Sequence, residues 1–291
     1  MKKNLLISGA GGFVGSSFIN TFKKKYNIYA IFKNAPKINQ GIKKEIILDF
    51  SKESKMSLPQ EIDTVIHLAQ SNFYRDQENY ADDIVDLNII STLNLLEWAK
   101  NANVKNFIFT STGNVYKPSD ALLTEDSPLE PNSIYGASKL SAEILIKQYK
   151  KYFNINILRL FSVYGPYQKN MLIPQITNKL LSNEKIILAE SKGIYLTPIY
   201  IQDLIDIFEK IIDEESSREC CETYNVSGNE IISLRDILLI LSKHLKIEPI
   251  IESTNDQVSY LTGSGKKLTE KFEFKYLTSI EKGINNFIKS I

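Results

Sequence analysis

LLISGAGGFVG, at residues 5–15, joins an apolar run to a glycine-rich turn and then to a second apolar segment. Residues 4–7 predict a buried parallel strand, and the apolar spacing of residues 13–25 predicts a helix. Glycines at positions 9, 12 and 15 allow the backbone to approach a pyrophosphate, whose charge is stabilised at the N-terminus of a helix. A tight turn without a ligand is the simpler alternative. The order of strand, glycine turn and helix is, however, the context of a dinucleotide-binding fingerprint.

Strand-like and helix-like segments alternate through the first 165 residues. This order predicts an α/β protein with a Rossmann-type doubly wound parallel sheet, whose strands end along one ligand-binding edge. The predicted strands are 4–8, 28–32, 44–48, 64–68, 106–110 and 156–160, and the predicted helices are 13–25, 78–101 and 133–153.

The alternation becomes irregular after Pro166, which predicts a smaller C-terminal substrate-binding lobe. We expect the dinucleotide-binding domain to comprise 1–165 with part of 195–230, and the substrate lobe to comprise 166–194 and 231–291. In this half the pattern predicts helices at 171–182, 202–213, 233–246 and 278–288, strands at 185–188, 223–226 and 248–251, and a loop at 260–268.

Composition excludes several classes of protein. The formal net charge of +1 gives no electrostatic argument for nucleic acid or an anionic membrane as a partner. No apolar stretch has the length of a membrane span, and nothing resembles a signal peptide, so a cytoplasmic location is expected. Cys220 and Cys221 are adjacent and predict no disulfide framework. The two histidines are isolated, which predicts no metal site, and His67 lies in an apolar strand that favours a structural role.

Tyr135 and Lys139 are four residues apart in the run SIYGASK, at residues 133–139. On a helix this spacing places both side chains on one face. An ammonium group beside a phenol favours the phenolate, so we expect Lys139 to lower the pKa of Tyr135. A tyrosine adjusted in this way can act as an acid or base near neutral pH.

These motifs, taken together, closely resemble the extended short-chain dehydrogenase/reductase family, in the branch of sugar-nucleotide epimerases, dehydratases and ketoreductases. The resemblance covers about residues 4–230. It rests on the glycine turn, His67-Leu68-Ala69, STGNVY at 111–116, Tyr135 with Lys139, RLFSVYGP at 159–166 and PIYIQD at 198–203.

The resemblance implies a role for each of three catalytic residues. Tyr135 is the proton donor or acceptor at a sugar hydroxyl or ketone, Lys139 also hydrogen-bonds the nicotinamide ribose, and Thr112 holds the substrate oxygen. It implies cofactor contacts from Gly9, Gly12, Phe13, Val14, Gly15, Lys33, Asn34, Asp49, Phe50, Leu68, Ala69, Gln70, Asn88, Thr110, Ser111, Lys139, Phe161 and Val163. It implies substrate contacts from Ser71, Asn72, Thr112, Gly113, Asn114, Tyr135, Ser162 and Leu196.

Departures from the family pattern narrow the expected reaction. The family's dehydratases have an acid pair after the threonine, where this chain has Gly113 and Asn114. GDP-fucose synthases have a cysteine and a histidine where this chain has Asn114 and Tyr167. Ser162 and Leu196 replace residues typical of UDP-galactose 4-epimerase. Of the reactions known in the family, oxidation or reduction at one sugar carbon is the one that these departures leave.

Lys33 stands where NAD-binding members have an acidic residue. An ammonium group attracts a 2′-phosphate, so NADP(H) is favoured, with NAD(H) possible. The sequence therefore favours reduction of a 4-keto-6-deoxy sugar nucleotide. A nucleotide-sugar 4-epimerase is the alternative, and a non-catalytic dinucleotide-binding protein ranks below both.

A homodimer is also expected. The family pairs the helices near 78–100 and 133–152 into a four-helix bundle between two copies. Apolar residues in the first helix exceed what one face needs against its own sheet, which is typical of an interface. They are Leu87, Ile90, Leu93, Leu95, Leu96 and Trp98.

Overall fold

Helices and strands alternate through the first half of the chain, as the apolar pattern predicts. The computed structural model describes residues 2–36, 41–50, 52, 56–214 and 220–291. Its strands are β1 (Asn4–Ser8), β2 (Asn27–Phe32), β3 (Lys44–Ile47), β4 (Thr64–His67), β5 (Asn106–Thr112), β6 (Asn154–Leu160), β7 (Val163–Tyr164), β8 (Ile186–Ala189), β9 (Ile194–Leu196), β10 (Ile199–Tyr200), β11 (Cys221–Val226), β12 (Ile232–Ser233), β13 (Ile251–Thr254) and β14 (Ser259–Leu261).

The helices are α1 (Phe13–Phe22), α2 (Ala81–Val85), α3 (Ser91–Asn101), α4 (Ile134–Lys147), α5 (Leu172–Leu181), α6 (Ile201–Asp213), α7 (Leu234–Leu245), α8 (Lys266–Phe272) and α9 (Ile280–Ile288). A π-helical turn, Asp86–Ile90, joins α2 to α3, and a 3₁₀ turn, Gly113–Val115, follows β5. The sequence predicted one continuous helix over 78–101. The wider π turn inside it is not visible in apolar spacing.

Within the described residues, seven strands form one sheet in the order β11-β6-β5-β4-β1-β2-β3. β1 pairs in parallel with both β2 and β4, and the pairs β2–β3 and β4–β5 are also parallel. The order reverses between β1 and β4, which is the switch point where sheets of this kind bind ligands beyond the carboxyl ends of their strands. The predicted Rossmann-type α/β fold is confirmed.

Two units divide the chain. The first comprises Met1–Lys117, Ser127–Arg159 and Phe208–Tyr224, and the second comprises Pro118–Asp126, Leu160–Ile207 and Asn225–Ile291. The two longest segments of the second unit begin at Leu160 and Asn225. The second unit also includes 118–126, because Leu123 N donates to Thr262 O (3.0 Å) and Ser264 N donates to Leu123 O (2.8 Å). Within the range 195–230, residues 215–219 lie outside the described part.

The core of the first unit includes part of the apolar surface that the sequence assigned to a dimer. Leu95 and Leu96 are fully buried, Trp98 is 7% exposed, and Leu87 packs against the same cluster. Four of the six apolar residues of this helix thus contact the chain's own core. Ile90 remains 46% exposed.

In the second unit, α5, α7 and α9 contribute to a separate apolar core. The prediction of a loop over 260–268 is wrong in part, since β14 pairs in parallel with β9 and α8 begins at Lys266. The rings of Tyr195 and Tyr260 stack across the β9–β14 pair at 5.2 Å. A three-residue strand is too short for a periodic signal, and its partner is distant in the sequence.

Among the helices in the described part of the chain, none has the length and apolar character needed to span a membrane.

Candidate active site

The glycine turn begins directly after β1. Gly9 has φ +70°, a conformation that favours glycine, and a Cβ there would lie 2.7 Å from Ala69 N. A Cβ on Gly15 would lie 2.5 Å from Gly9 O, so α1 packs closely on the turn. Gly12 precedes α1 and places no side chain over its N-terminus, and Phe13 and Val14 form its first, partly exposed residues. The first N–H groups of a helix have no acceptor within the helix, so the start of α1 fits a pyrophosphate.

Lys33 and Asn34, two of the predicted cofactor contacts, follow β2 and are exposed. The ammonium of Lys33, 58% exposed, lies 3.8 Å from Asp49 Oδ1, and Lys52 Nζ lies 3.7 Å from Asp49 Oδ2. Asp49 and Phe50 follow β3. The Phe50 ring is buried and lies 6.3 Å from the His67 ring.

His67 joins the glycine turn to the strand beside it through a buried hydrogen bond. Ser8 Oγ lies 2.6 Å from His67 Nδ1 and accepts from Leu68 N (3.1 Å) and Ala69 N (3.2 Å). With both lone pairs occupied, the Ser8 hydroxyl donates to Nδ1, so His67 carries its proton on Nε2. Burial lowers the pKa of His67 to about 3, with Lys139 as a smaller cause, and the ring is therefore neutral. These buried contacts agree with the structural role that the sequence predicts for His67.

The same chain of hydrogen bonds continues to α4. His67 Nε2 lies 2.9 Å from Thr92 Oγ1, which donates to Asn88 O (2.8 Å). Asn88 Nδ2 donates to Ser138 Oγ (2.9 Å), and Ser138 Oγ donates to the carbonyl of Tyr135 (2.8 Å). The π turn thus places Asn88 between the sheet and α4.

Tyr135 lies in the first turn of α4, which Ser133 caps by accepting from Gly136 N (3.0 Å). A Cβ on Gly136 would lie 2.4 Å from Asn114 O, so this glycine lets α4 approach the turn after β5. The Tyr135 hydroxyl donates to Gln70 Oε1 (2.9 Å). Thr112 ends β5, and its Oγ1 accepts from Asn114 N (3.2 Å).

Burial raises the pKa of Tyr135, with Tyr74 as a further cause, and hydrogen bonds with Thr112 and Gln70 act in the opposite direction. The expectation that Lys139 lowers this pKa is wrong in the structure. Desolvation of the phenolate exceeds every other effect on this group.

Lys139 is 1% exposed, one turn beyond Tyr135. Its Nζ lies 4.4 Å from the centre of the Phe109 ring and makes no hydrogen bond within the described part of the chain. Burial lowers its pKa to about 7, while Glu143 opposes the shift. A buried ammonium without an acceptor fits the hydroxyls of a nicotinamide ribose. With the glycine turn, it provides a donor set that suits a dinucleotide.

The side chains of several predicted contact residues form hydrogen bonds with other residues of the first unit. Thr110 Oγ1 donates to His67 O (3.1 Å), and Ser111 Oγ donates to Glu143 Oε1 (2.5 Å). Ser71 is buried, donates to Asp83, and has its N–H bonded to Asn88 Oδ1 (3.1 Å). Asn72 and Asn114 are exposed, whereas Gly113 is buried.

Four predicted contacts lie in the second unit. Phe161 is fully buried, and a Cβ on Gly263 would lie 2.4 Å from its ring. Ser162 has φ +48°, Val163 begins β7, and Leu196 ends β9 in a buried position.

Sequence reasoning missed three residues that lie on or beside α4. Gln77 Oε1 accepts from Tyr135 N (3.1 Å), and the Tyr74 ring lies 5.4 Å from the Tyr135 ring. Glu143 forms a buried ion pair with Arg159. Glu143 follows Lys139 by four residues, so its helical spacing could have revealed it. The described residues contain no group of three His, Cys, Asp or Glu side chains suited to a metal ion.

The family model for the NAD dependent epimerase/dehydratase family matches residues 5–227. The chain belongs to this family. Its members are NAD-dependent enzymes, in agreement with the predicted oxidoreductase class. The chain is 23% identical to Protein CapI of Staphylococcus aureus over 98% of this chain and 97% of that protein. It is 29% identical to dTDP-D-glucose 4,6-dehydratase of Mus musculus, over 88% of this chain and 78% of that protein.

A solved structure is similar over nearly the whole chain. It is UDP-glucuronic acid 4-epimerase from Bacillus cereus in complex with UDP-glucuronic acid and NAD, 25% identical, with a TM-score of 0.88 and 98% of each chain covered. The proteins to which this chain is similar therefore include epimerases and dehydratases of nucleotide sugars.

Proposed function

We propose that this chain transfers a hydride at one carbon of a nucleotide-linked sugar, and that its net reaction is reduction of a 4-keto-6-deoxy sugar nucleotide. The observation that carries the proposal is the position of Thr112 and Tyr135 beside a turn that holds Gly113 and Asn114. Neither residue of that turn can protonate a leaving hydroxyl, so the site lacks the acid–base pair for dehydration.

The side chains suit reduction at a carbonyl. When bound, the nicotinamide cofactor supplies the hydride. Negative charge then develops on the carbonyl oxygen, and the hydroxyl groups of Tyr135 and Thr112 can stabilise it. Tyr135 holds its proton at neutral pH because burial raises its pKa, so it is suited to donate that proton. The buried ammonium of Lys139 would hold the nicotinamide ribose beside it.

Lys33 supports NADP(H) as the cofactor. It is exposed at the end of β2, where a carboxylate would repel a 2′-phosphate and an ammonium attracts it. Its pairing with Asp49 at 3.8 Å, beyond hydrogen-bond distance, leaves the charge available to a phosphate. On this proposal the dinucleotide binds to the first unit, through the glycine turn and Lys139.

A nucleotide-sugar 4-epimerase is the second candidate. It is favoured by the similarity to a UDP-glucuronic acid 4-epimerase that was solved with NAD. The same Thr112, Tyr135 and Lys139 serve a reaction in which a hydride leaves and returns on the opposite face, without net consumption of cofactor.

One experiment distinguishes the two. The enzyme is mixed with NADPH and a panel of 4-keto sugar nucleotides, and the reduced nicotinamide absorbance is followed. We expect at least one 4-keto-6-deoxy sugar nucleotide to cause oxidation of NADPH. Without a keto sugar, NADPH should not be oxidised. If no ketone oxidises NADPH or NADH while a UDP-hexose equilibrates with its C4 epimer, the enzyme is an epimerase.

A further inference from the structure

Glu143 and Arg159 form a buried ion pair in the first unit. Their side chains are 0% and 2% exposed. Arg159 Nε donates to Glu143 Oε1 (3.1 Å) and Arg159 Nη2 donates to Oε2 (2.7 Å), so the contact is bidentate. Desolvating two charges offsets most of what such a pair contributes to stability. The ion pair therefore contributes mainly through the geometry that it imposes on the residues bonded to it.

The pair holds both ends of the segment that carries Thr112. At one end, Ser111 Oγ donates to Glu143 Oε1 (2.5 Å). At the other, Arg159 Nη1 donates to the Tyr116 hydroxyl (2.8 Å), and the guanidinium lies 4.7 Å from the centre of the Tyr116 ring. Thr112 and the 3₁₀ turn lie between these two anchors.

Glu143 also belongs to the helix that carries the catalytic tyrosine. Tyr135, Lys139 and Glu143 follow at intervals of four residues along α4 and lie on one face. The carboxylate of Glu143 therefore ties this helix to the end of β5. Arg159, from β6, ties the same carboxylate to the far side of the turn.

We propose that the Glu143–Arg159 pair is a positioning element that sets the Thr112 hydroxyl relative to the Tyr135 hydroxyl. This inference rests on the proposed function of Thr112 and Tyr135 in hydride transfer. Neither Glu143 nor Arg159 touches substrate in this scheme. The pair acts through the two hydroxyl groups of Ser111 and Tyr116, and a shift of about 1 Å at Thr112 is enough to slow the reaction about a hundredfold.

The test releases the segment and keeps the ion pair. In the double variant Ser111→Ala/Tyr116→Phe both anchoring hydroxyls are lost, while the buried charges still neutralise each other. We expect kcat to fall about ten- to a hundredfold, with the Kd for the dinucleotide changed less than about threefold. Tyr26→Phe is the matched control, because it removes a hydroxyl that donates to Asp213 Oδ1 (3.0 Å) elsewhere in the unit. Its kcat should match wild type.

A second readout needs no turnover. With methyl-labelled threonine, the Thr112 signal is assigned by its loss in Thr112→Ser, and the Thr92 methyl serves as internal reference. We expect the NMR signal of the Thr112 methyl to shift or broaden in the double variant, and in the Glu143→Gln protein where it folds. The Thr92 methyl signal should stay unchanged in both.

The outcomes separate the two proposals. If wild type turns over no nucleotide sugar but the Thr112 methyl moves in the double variant, the proposed function fails and the positioning role stands. An unmoved Thr112 methyl overturns the positioning role whatever the activity. So does a double variant with wild-type kcat in an active enzyme, because the pair would then contribute to stability alone.

Discussion

The hydroxyl of Tyr135 donates a 2.9 Å hydrogen bond to Gln70 Oε1, which connects the first turn of α4 to the segment after β4. The proton of the candidate catalytic phenol is thus held at the carboxyl edge of the sheet. Because Gln70 is exposed at that edge, a substrate oxygen can replace it as the acceptor.

Tyr135→Phe should reduce kcat by at least about a hundredfold, because it removes the proton donor and keeps the ring. Dinucleotide binding, measured by fluorescence titration, should stay close to wild type. Tyr149→Phe is the control, since its hydroxyl donates to Glu97 rather than to a site residue. A Tyr135→Phe enzyme with near-normal turnover would show that the phenol is not the donor.

Lys139 should make the stability of the protein depend on pH. Burial lowers its pKa from 10.5 to about 7, so between these values the unfolded chain binds more protons than the folded one. The free energy of unfolding should therefore rise with pH in this window, by up to about 1.4 kcal/mol per pH unit. Urea unfolding of wild type and Lys139→Met at several pH values isolates the contribution. Equal slopes for the two proteins would contradict it.

His67 should remain neutral in the Nε2–H tautomer, because Ser8 donates to Nδ1 and burial lowers the pKa to about 3. Nitrogen-15 NMR of the imidazole reports both properties directly. We expect no titration of His67 between pH 8 and 5, about the range where an ordinary histidine gains its proton. A His67→Gln spectrum identifies the signal. Titration near pH 6.5, or a proton on Nδ1, would disprove the hydrogen-bond direction.

Lys33→Asp should change cofactor preference. Replacing an attractive charge with a repulsive one should lower the ratio of NADPH to NADH affinity by roughly ten- to a hundredfold. Lys52→Asp is a matched control, since Lys52 also lies within 4 Å of Asp49 (3.7 Å) but does not follow β2. Wild-type preference for NADH, or equal ratios in both variants, would leave Lys33 as a surface lysine and favour the epimerase.

The chain should be a homodimer through the α3 and α4 helices. Ile90, in the π turn before α3, and Ile144, on α4, are 46% and 54% exposed, so both are accessible to a second copy of the chain. Light scattering should give twice the monomer mass at micromolar concentration. The Ile144→Lys variant should have a measured mass closer to that of the monomer. Ile187→Lys provides the control, because Ile187 is 60% exposed in the second unit. A monomeric wild type would exclude this interface.

The sequence alone determined the order of strands and helices in the first half, because buried parallel strands and amphipathic helices have distinct apolar periods. It also determined the position of the glycine turn. Only glycine fits at residues 9 and 15, because a Cβ at either position would collide with neighbouring backbone atoms. The i, i+4 spacing of Tyr135 and Lys139 was sufficient to place both on one helical face.

Only the tertiary structure decided what surrounds these groups. The pKa values of Tyr135 and Lys139 depend on burial, which local spacing does not report. β14 exists because it pairs with β9, and Arg159 meets Glu143 across two elements that are separate in the chain. Hydrogen bonds and desolvation arise from the three-dimensional proximity of distant residues, whereas periodicity records only local conformation.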